Sequence, residues 1–286
     1  MLVKTSRCTV WILSFLLIAT LAFSQEQIRD STYNSDMKLF LVGLGEDTRV
    51  IIMPLCKKKI PGIWFVHVHE DESTAADAAI EFIDSTGAGC FVTLKHGMGR
   101  NISFNMQGKT YKFDPNRIYT AEGRKATLER FGAYSDSAFA AVSTLANFIS
   151  SRFIDSNRLV VALHNNTNDG GLTIKSYQKG GDYQKDASKV FVNKKEDPDD
   201  FFYTTSLRAF DFFKEKGFNV LLQNNKTVTD DGSLSVYAGM KQIDYINIEA
   251  EHLKKDQQKK MLAAAMDYIR VYFPPKPVAD EHDNSK

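Results

Sequence analysis

Short runs of apolar residues alternate along the chain with longer stretches in which apolar residues recur at helical spacing. Several of the short runs are apolar without interruption, as expected of β-strands that are covered on both faces. Strands that alternate with helices indicate an α/β protein built on a layered sheet. The predicted strands have the sequences TRVIIMPLC, GIWFVHVH, GCFVTLKHG, RLVVALHNN, FNVLLQNN and DYINIEAE.

Three stretches carry helical patterns between the predicted strands. The first is STAADAAIEFIDSTG, which a glycine closes; the second covers residues 126–153 and the third about residues 252–272. Pro274 and Pro275 end the third pattern. The segments QGKTYKF and GLTIKSYQKGGDY indicate hairpin or loop excursions. We found no internal repeat and no long linker, so we expect a single domain over residues 25–275.

The first residues have the pattern of a secretory signal peptide. Lys4 and Arg7 precede an apolar run over residues 10–21, and small residues follow near the expected cleavage site. This run is shorter than the roughly 20 residues that a spanning helix needs, so we expect cleavage of residues 1–24 rather than a membrane anchor. The sequence therefore predicts a secreted or periplasmic protein with no stable membrane insertion after signal cleavage. The polar tail over residues 276–286 is expected to be disordered.

The charge balance argues against a nucleic-acid-binding protein. The chain has 36 Lys and Arg residues against 35 Asp and Glu residues. Cleavage after residue 24 removes two of the basic residues and none of the acidic ones, which leaves a net charge of −1. Such a balance provides no broad electrostatic attraction to nucleic acid, so no nucleic-acid partner is expected.

Two cysteines, Cys56 and Cys90, lie in the predicted domain. In an exported protein they could form a disulfide bond, and two buried free thiols are the alternative. The sequence leaves both alternatives open.

The stretch WFVHVHEDEST places histidines and acids where a predicted strand ends. His69 and Glu72 are three positions apart, and His164 ends the predicted strand RLVVALH. Functional residues of α/β proteins collect at such strand ends. Two histidines and one carboxylate, with a fourth position left for water, form a common catalytic zinc site, although each residue alone is more typical of a structural role. His67 lies two residues before His69 in the same strand end, and we interpret it as a structural or supporting residue rather than a ligand.

A second motif, YKFDPNRIYT, follows another probable strand. It contains Asp114, Asn116 and Arg117. An arginine in this position could bind a carboxylate in bidentate fashion. The alternative is a proline-containing turn with an exposed arginine.

The order His-x-x-Glu, Asp-x-Asn-Arg and strand-end histidine resembles the zinc carboxypeptidase superfamily. That superfamily includes the metallocarboxypeptidases and the succinylglutamate desuccinylase/aspartoacylase branch. The resemblance covers roughly residues 38–272 in motif order and implies a mixed, mostly parallel central sheet flanked by helices. It implies that one Zn²⁺ is bound by His69, Glu72 and His164. It also implies that Asn116 and Arg117 hold the terminal carboxylate of the substrate.

The same resemblance implies further roles in the site. Glu249, in YINIEAEH, matches the general base, with Glu251 as the alternative. Arg100 matches the arginine that polarises the scissile carbonyl, and Lys109 is another candidate cation. Tyr237 is the candidate for the aromatic residue that covers the substrate. Read without the family, Glu249 would be an exposed acid at a sheet edge.

The chain also departs from the family pattern. Pro115 stands where the family has an aliphatic residue. The 92 residues from Glu72 to His164 resemble the compact desuccinylase/aspartoacylase branch. However, only 37 residues follow Glu249, too few for the C-terminal β-domain of that branch. The substrate class is therefore left open.

The leading hypothesis is a secreted, zinc-dependent, carboxypeptidase-like amide hydrolase. Its expected substrates are small peptides with a free carboxylate, including cell-wall peptides. One alternative is an N-acyl amino acid deacylase of the desuccinylase/aspartoacylase type. The other is a catalytically inactive binding protein on the same scaffold.

Overall fold

The computed structural model describes residues 25–27, 38–97, 99–167 and 171–274. The predicted signal peptide over residues 1–24 and the predicted disordered tail over residues 276–286 lie outside the described residues. Within the described part of the chain, no helix is both long enough and apolar enough to cross a membrane.

Twelve strands and six α-helices make up the regular structure of the described residues. In chain order the strands are β1 (Gln25–Gln27), β2 (Lys38–Leu44), β3 (Thr48–Cys56), β4 (Ile63–His67), β5 (Cys90–Lys95), β6 (Ile102–Met106), β7 (Lys109–Phe113), β8 (Leu159–Asn166), β9 (Ala187–Phe191), β10 (Phe201–Thr204), β11 (Asn219–Gln223) and β12 (Asp244–Glu251). The helices are α1 (Ser73–Thr86), α2 (Ala121–Arg130), α3 (Asp136–Phe153), α4 (Leu207–Glu215), α5 (Leu234–Lys241) and α6 (Lys255–Tyr272).

Ten of these strands form one mixed sheet in the order β1-β2-β3-β5-β4-β8-β12-β10-β11-β9. The four central strands β5, β4, β8 and β12 run parallel to one another. On one side β3 and β2 continue the sheet in antiparallel fashion, and on the other β10 is antiparallel to β12. The predicted mixed sheet with mostly parallel central strands and flanking helices is therefore confirmed.

The central strands are covered on both faces, as their uninterrupted apolar sequences predict. Every residue of β8 is buried, and its apolar residues alternate between two hydrophobic clusters. Val160 and Ala162 belong to the cluster that also contains Val142 of α3. Val161 belongs to the cluster that also contains Leu262 of α6. The sheet thus separates two cores.

The helical pattern over residues 126–153 was predicted as one element, and this prediction is wrong. The structure divides it into α2 and α3 around Gly132, whose φ of 92° is left-handed. The side chain of Ser135 then caps α3 by accepting a hydrogen bond from the backbone N–H of Ala138. A glycine at a left-handed position followed by a serine cap is a local stop and restart signal.

The predicted excursion QGKTYKF forms most of a hairpin, β6–β7. Gln107 and Gly108 turn the chain with φ angles of 54° and 70°. Arg100 lies just before this hairpin, and the Asp114–Arg117 segment follows it directly. The hairpin therefore holds the two segments close to each other.

Cys56 and Cys90 form a disulfide bond. They lie opposite each other in the antiparallel strands β3 and β5, with their Cα atoms 4.2 Å apart. Of the two alternatives, the structure therefore contains the disulfide bond and not two free thiols.

Candidate active site

Two histidines and a glutamate converge at the carboxyl ends of β4 and β8. These strands pair in parallel, so side chains that follow them lie side by side. Nδ1 of His69 lies 3.2 Å from Nδ1 of His164 and 2.9 Å from Oε1 of Glu72. Nδ1 of His164 lies 2.8 Å from Oε2 of Glu72. All three residues are buried, and their potential ligand atoms lie within 4.8 Å of one another.

The spacing and chemistry of these atoms fit a single zinc ion. Ligands at about 2.0–2.1 Å from a tetrahedral Zn²⁺ lie about 3.3 Å from one another. The observed separations of 2.8–3.2 Å are close to that value. Two imidazoles and one carboxylate suit zinc better than magnesium or calcium, which prefer oxygen ligands. The three residues therefore form a candidate metal site, and zinc stays a prediction.

Asp114 completes this cluster from the segment after β7. Its Oδ1 atom lies 2.7 Å from Nε2 of His69 and accepts a hydrogen bond from the N–H there. Such a carboxylate fixes the orientation of a metal-binding imidazole and leaves Nδ1 to face the metal. The sequence motif contained Asp114, but its role as a partner of His69 was not predicted.

The charges of the cluster favour ionised carboxylates. Burial opposes ionisation of Glu72, but the imidazoles of His164 and His69 outweigh it and hold the pKa of Glu72 well below its usual range. Burial likewise disfavours protonation of His69, yet Glu72 and Asp114 raise its pKa to about 9. Both effects show that positive charge is strongly favoured at this point. A divalent cation satisfies the same carboxylates in place of the proton.

His67 supports the cluster from the end of β4. It is fully buried and accepts a hydrogen bond from Thr93 at Nδ1 (2.9 Å), while Nε2 donates to the backbone oxygen of Glu72 (3.0 Å). Burial lowers its pKa to about 4, so the ring is neutral at pH 7. This position matches the predicted structural or supporting role.

Glu72 and His164 line a cleft of about 500 Å³ that the predicted substrate-binding residues Asn116 and Arg117 also line. Arg100, Asn116 and Arg117 all line it. Arg100 donates to Oε1 of Glu72 at 2.5 Å, so its guanidinium lies directly beside the cluster. Asn116 is fixed by accepting the backbone N–H of Leu234 at its Oδ1 atom, 3.1 Å away. The structure therefore brings these three residues close to the group of His69, Glu72 and His164.

Glu249 reaches the same cleft from β12, the strand next to β8. It pairs with His164 in the sheet register. Nδ2 of Asn247 donates to Oε1 of Glu249 at 2.9 Å, and burial raises the pKa of Glu249. The alternative base, Glu251, forms an ion pair with Lys254 and does not line the cleft. Of the two candidates, the position of Glu249 suits a base and that of Glu251 does not.

Two other predicted residues lie elsewhere. The hydroxyl of Tyr237 donates to Asp155 at 2.6 Å, and its ring packs against Tyr119. Because this contact turns Tyr237 toward the end of α3, its position does not support a role in covering the substrate. Lys109 is exposed at the start of β7, so Arg100 is the better placed of the two candidate cations.

Asn165 and His252 are among the residues of the cleft that were not predicted. Asn165 follows His164, and its backbone N–H donates to Oε2 of Glu72 at 3.2 Å. His252 lines the cleft from the turn after β12. Their proximity in sequence to His164 and Glu249 was the only signal available for either residue.

No family model matches the chain, and no curated protein matches it. Solved structures do match. A candidate metallopeptidase from Shewanella amazonensis is 12% identical and matches over 84% of this chain and 88% of its own, with a TM-score of 0.41. An aspartoacylase family protein from Mesorhizobium loti is 11% identical over 90% of this chain and 73% of its own, with a TM-score of 0.43.

A third match is a succinylglutamate desuccinylase from Vibrio parahaemolyticus. It is 13% identical and matches over 92% of this chain and 70% of its own, with a TM-score of 0.40. The motif resemblance and these matches name the same groups of proteins. Similarity this low transfers neither an activity nor a substrate, so the functional proposal depends on the residues of the cleft.

Proposed function

We propose that this protein is a zinc-dependent, carboxypeptidase-like amide hydrolase that acts on substrates with a free carboxylate. One observation carries the proposal. A buried group of two imidazoles and a carboxylate, spaced for zinc, presents His164 and Glu72 to a cleft that a buried glutamate and two arginines also line.

His69, Glu72 and His164 would hold the ion, with Asp114 fixing the orientation of His69. Bound zinc supplies Lewis-acid activation of water and of the scissile carbonyl. Arg100 adds a positive charge next to Glu72, where a developing oxyanion needs stabilisation.

Glu249 is the general base in this proposal. It accepts a proton from the attacking water and then delivers that proton to the leaving amine nitrogen. Its burial raises its pKa, which makes it a stronger base than an exposed carboxylate. Asn247 holds one carboxylate oxygen, so the other stays available for the proton.

Arg117 and Asn116 would bind the carboxylate of the substrate. Nη1 of Arg117 donates to the backbone oxygen of Asn116 at 2.9 Å, and Nε lies 3.4 Å from Oδ2 of Asp231. The side chain keeps 31% of its surface exposed. A guanidinium that is both anchored and accessible suits recognition of a terminal carboxylate. This favours removal of a C-terminal residue over internal cleavage.

The proposed setting is outside the cytoplasm, where peptide ends, including those of cell-wall peptides, are available. This part of the proposal depends on the signal-peptide pattern in residues 1–24 and on the disulfide between Cys56 and Cys90.

The test compares wild-type protein with Glu249→Gln and Glu251→Gln in the presence of zinc and of a chelator. The substrates are N-acetylated dipeptides, their C-terminal amides and N-acetyl amino acids. We expect wild type and Glu251→Gln to hydrolyse the free dipeptides, and Glu249→Gln to retain zinc but lose at least about 100-fold in kcat.

Two outcomes would contradict the proposal. Undiminished activity of Glu249→Gln would show that Glu249 is not the general base. Equal rates of cleavage of the C-terminal amides and the free acids would show that Arg117 does not bind the substrate carboxylate. In that case Arg117→Ala would leave the ratio of the two cleavage rates unchanged. A preference for N-acetyl amino acids over dipeptides would favour the deacylase alternative on the same residues.

A further inference from the structure

Two cavities meet at the carboxylate-binding residues. The cleft of about 500 Å³ and a neighbouring cavity of about 580 Å³ share five lining residues, among them Asn116 and Arg117. Only the first cavity contains His164 and Glu72 of the metal cluster. If the scissile carbonyl lies at the metal and the carboxylate lies at Arg117, the acyl part of the substrate extends into the first cavity, away from Arg117. We call this part the acyl half.

His252 lines the acyl half and is held there by two contacts, one with β8 and one with α1. Its backbone N–H donates to the backbone oxygen of Asn166 at 2.8 Å. Its Nδ1 atom lies 3.4 Å from the hydroxyl of Thr74 in α1. The same hydroxyl accepts the backbone N–H of Leu253 at 3.1 Å. Thr74 therefore fixes both residues of the turn.

These contacts permit the tautomer of His252 that carries the ring proton on Nε2. Because the Thr74 hydroxyl oxygen accepts from Leu253, its single hydrogen can point to Nδ1 of His252. Nδ1 is then the acceptor nitrogen, and the ring proton is on Nε2. His252 accordingly offers an N–H donor from the wall of the acyl half.

The turn is maintained at the expense of backbone strain. Leu253 has a φ of 72° and an 82% exposed side chain. A left-handed leucine is unfavourable, and neither its burial nor a helix cap accounts for it. The hydrogen bonds to Thr74 and Asn166 hold the turn in this conformation, which places His252 in the cleft.

The other residues of the acyl half limit what His252 can bind. Among the described residues that line the first cavity but not the second, none has a large apolar side chain. Apart from the metal cluster, Asp71 is the charged residue of this set. A hydrocarbon chain would meet only Leu172, at the border with the second cavity, as a large apolar side chain, and a second carboxylate would face Asp71. A neutral hydrogen-bond acceptor such as a peptide carbonyl fits both conditions.

We propose that His252 is a specificity-determining residue, which donates its Nε2 proton to a peptide carbonyl in the acyl part of the substrate. This inference depends on the proposed function and refines it. The preferred substrates are peptides with at least one further peptide group before the scissile bond, rather than fatty-acyl or dicarboxyl-acyl amino acids.

The test uses three substrates with the same C-terminal residue: N-acetyl-alanyl, N-acetyl and N-succinyl derivatives of the amino acid that wild type releases fastest. We expect His252→Ala to lower kcat/KM for the N-acetyl-alanyl substrate roughly five- to tenfold, mainly through KM, since one neutral hydrogen bond is lost. The N-acetyl substrate should change by less than about twofold. His252→Gln should recover part of the loss because it retains an N–H donor.

Leu253→Asn is the matched control. Asparagine tolerates the left-handed conformation, so this variant keeps the turn and should leave the substrate ratio unchanged. Equal effects of His252→Ala on all three substrates, no effect on any of them, or a wild-type preference for the N-succinyl substrate would overturn the inference.

A binding measurement separates this inference from the proposed function. Calorimetric titration of the Glu249→Gln protein with the N-acetyl-alanyl and N-acetyl compounds needs no turnover. If wild type is inactive but His252→Ala weakens binding of the N-acetyl-alanyl compound selectively, the proposed function fails and the role of His252 stands. If wild type is active but binding does not depend on His252, the proposed function stands and the role of His252 fails. Absence of both turnover and binding would contradict both proposals.

Discussion

Asp114 determines which nitrogen of His69 can face a metal ion. Its carboxylate lies 2.7 Å from Nε2, and its own backbone N–H donates to the hydroxyl of Thr127 at 3.0 Å. Arg100 and Arg117 also lie near it and, with His69, keep the pKa of Asp114 below its usual range despite burial. The carboxylate of Asp114 is therefore ionised near pH 7 and accepts the hydrogen bond from His69.

We predict that Asp114→Asn weakens zinc binding about 10- to 100-fold, as for other carboxylates that orient a metal-binding imidazole. Competition with a chromogenic chelator measures this affinity. Asp136→Asn, which removes an exposed carboxylate from the first turn of α3, is the control and should bind zinc like wild type. Unchanged affinity in Asp114→Asn would show that Asp114 does not support the site.

At this scale the sequence predicts residues whose partners are close in the motif. His69 and Glu72 are three positions apart at a strand end, so their places could be predicted from a local pattern, whereas the role of Glu249 came only from the family resemblance. Asp114 lies 45 residues from its partner His69, and His252 lies 178 residues from its partner Thr74. Such contacts depend on how the strands are arranged, which single motifs do not specify.

Between elements, one carboxylate joins α1 to α6. Oε1 of Glu81 lies 2.8 Å from Nζ of Lys255, and Lys259 pairs with the other oxygen. The two hydrogen bonds lower the pKa of Glu81 from 4.5 to about 2. In the pH range between these values the unfolded chain binds the proton more readily than the folded protein. The ion pairs therefore stabilise the fold above about pH 4.5 and lose this effect as the pH falls toward 2.

We predict that Glu81→Gln lowers the urea midpoint at pH 7 slightly, and that its difference from wild type shrinks as the pH falls from 4.5 to 3. All three side chains are well exposed, so the effect is small and weakens with added salt. Glu129→Gln removes a surface carboxylate that is 3.8 Å from Lys125 and serves as the control. A difference that grows on acidification would contradict the assignment of these ion pairs.

The elements differ in how well their sequences predict them. The bounds of β3 and β12 match the predicted runs, because each strand is a continuous pattern that ends at a turn. Helices α4 and α5 and the strands β1, β2, β9 and β10 were not predicted. Strands β1, β2 and β9 lie at or near the two edges of the sheet, where a strand depends on pairing with its neighbour more than on its own pattern. Strand β10 lies inside the sheet but has only four residues, too short a run to reveal a pattern.

At the scale of the whole molecule, the disulfide bond joins two strands through cysteines that lie 34 residues apart in the sequence. Closing a loop of this length restricts the unfolded chain and stabilises the fold by roughly 4 kcal/mol. We predict that Cys56→Ser combined with Cys90→Ala loses about that free energy of unfolding, as measured by urea denaturation. Reduction of the wild type should produce a similar loss, and equal stability of oxidised and reduced protein would contradict the bond.

The strand order could be stated from the sequence only through the family resemblance. Alternating strands and helices predict a layered sheet, but they do not say that β8 pairs with both β4 and β12. That pairing brings His164 next to the segment of His69 and next to Glu249. The group of His69, Glu72 and His164 therefore forms only when β4 and β8 pair, which brings together two histidines 95 positions apart in the chain.

Anomalous diffraction at the zinc edge, from crystals grown with zinc, tests the central claim most directly. The account predicts a peak within about 2.0–2.2 Å of Nδ1 of His69, Nδ1 of His164 and a carboxylate oxygen of Glu72. A zinc peak bound elsewhere, with these three side chains directed away from one another, would contradict it.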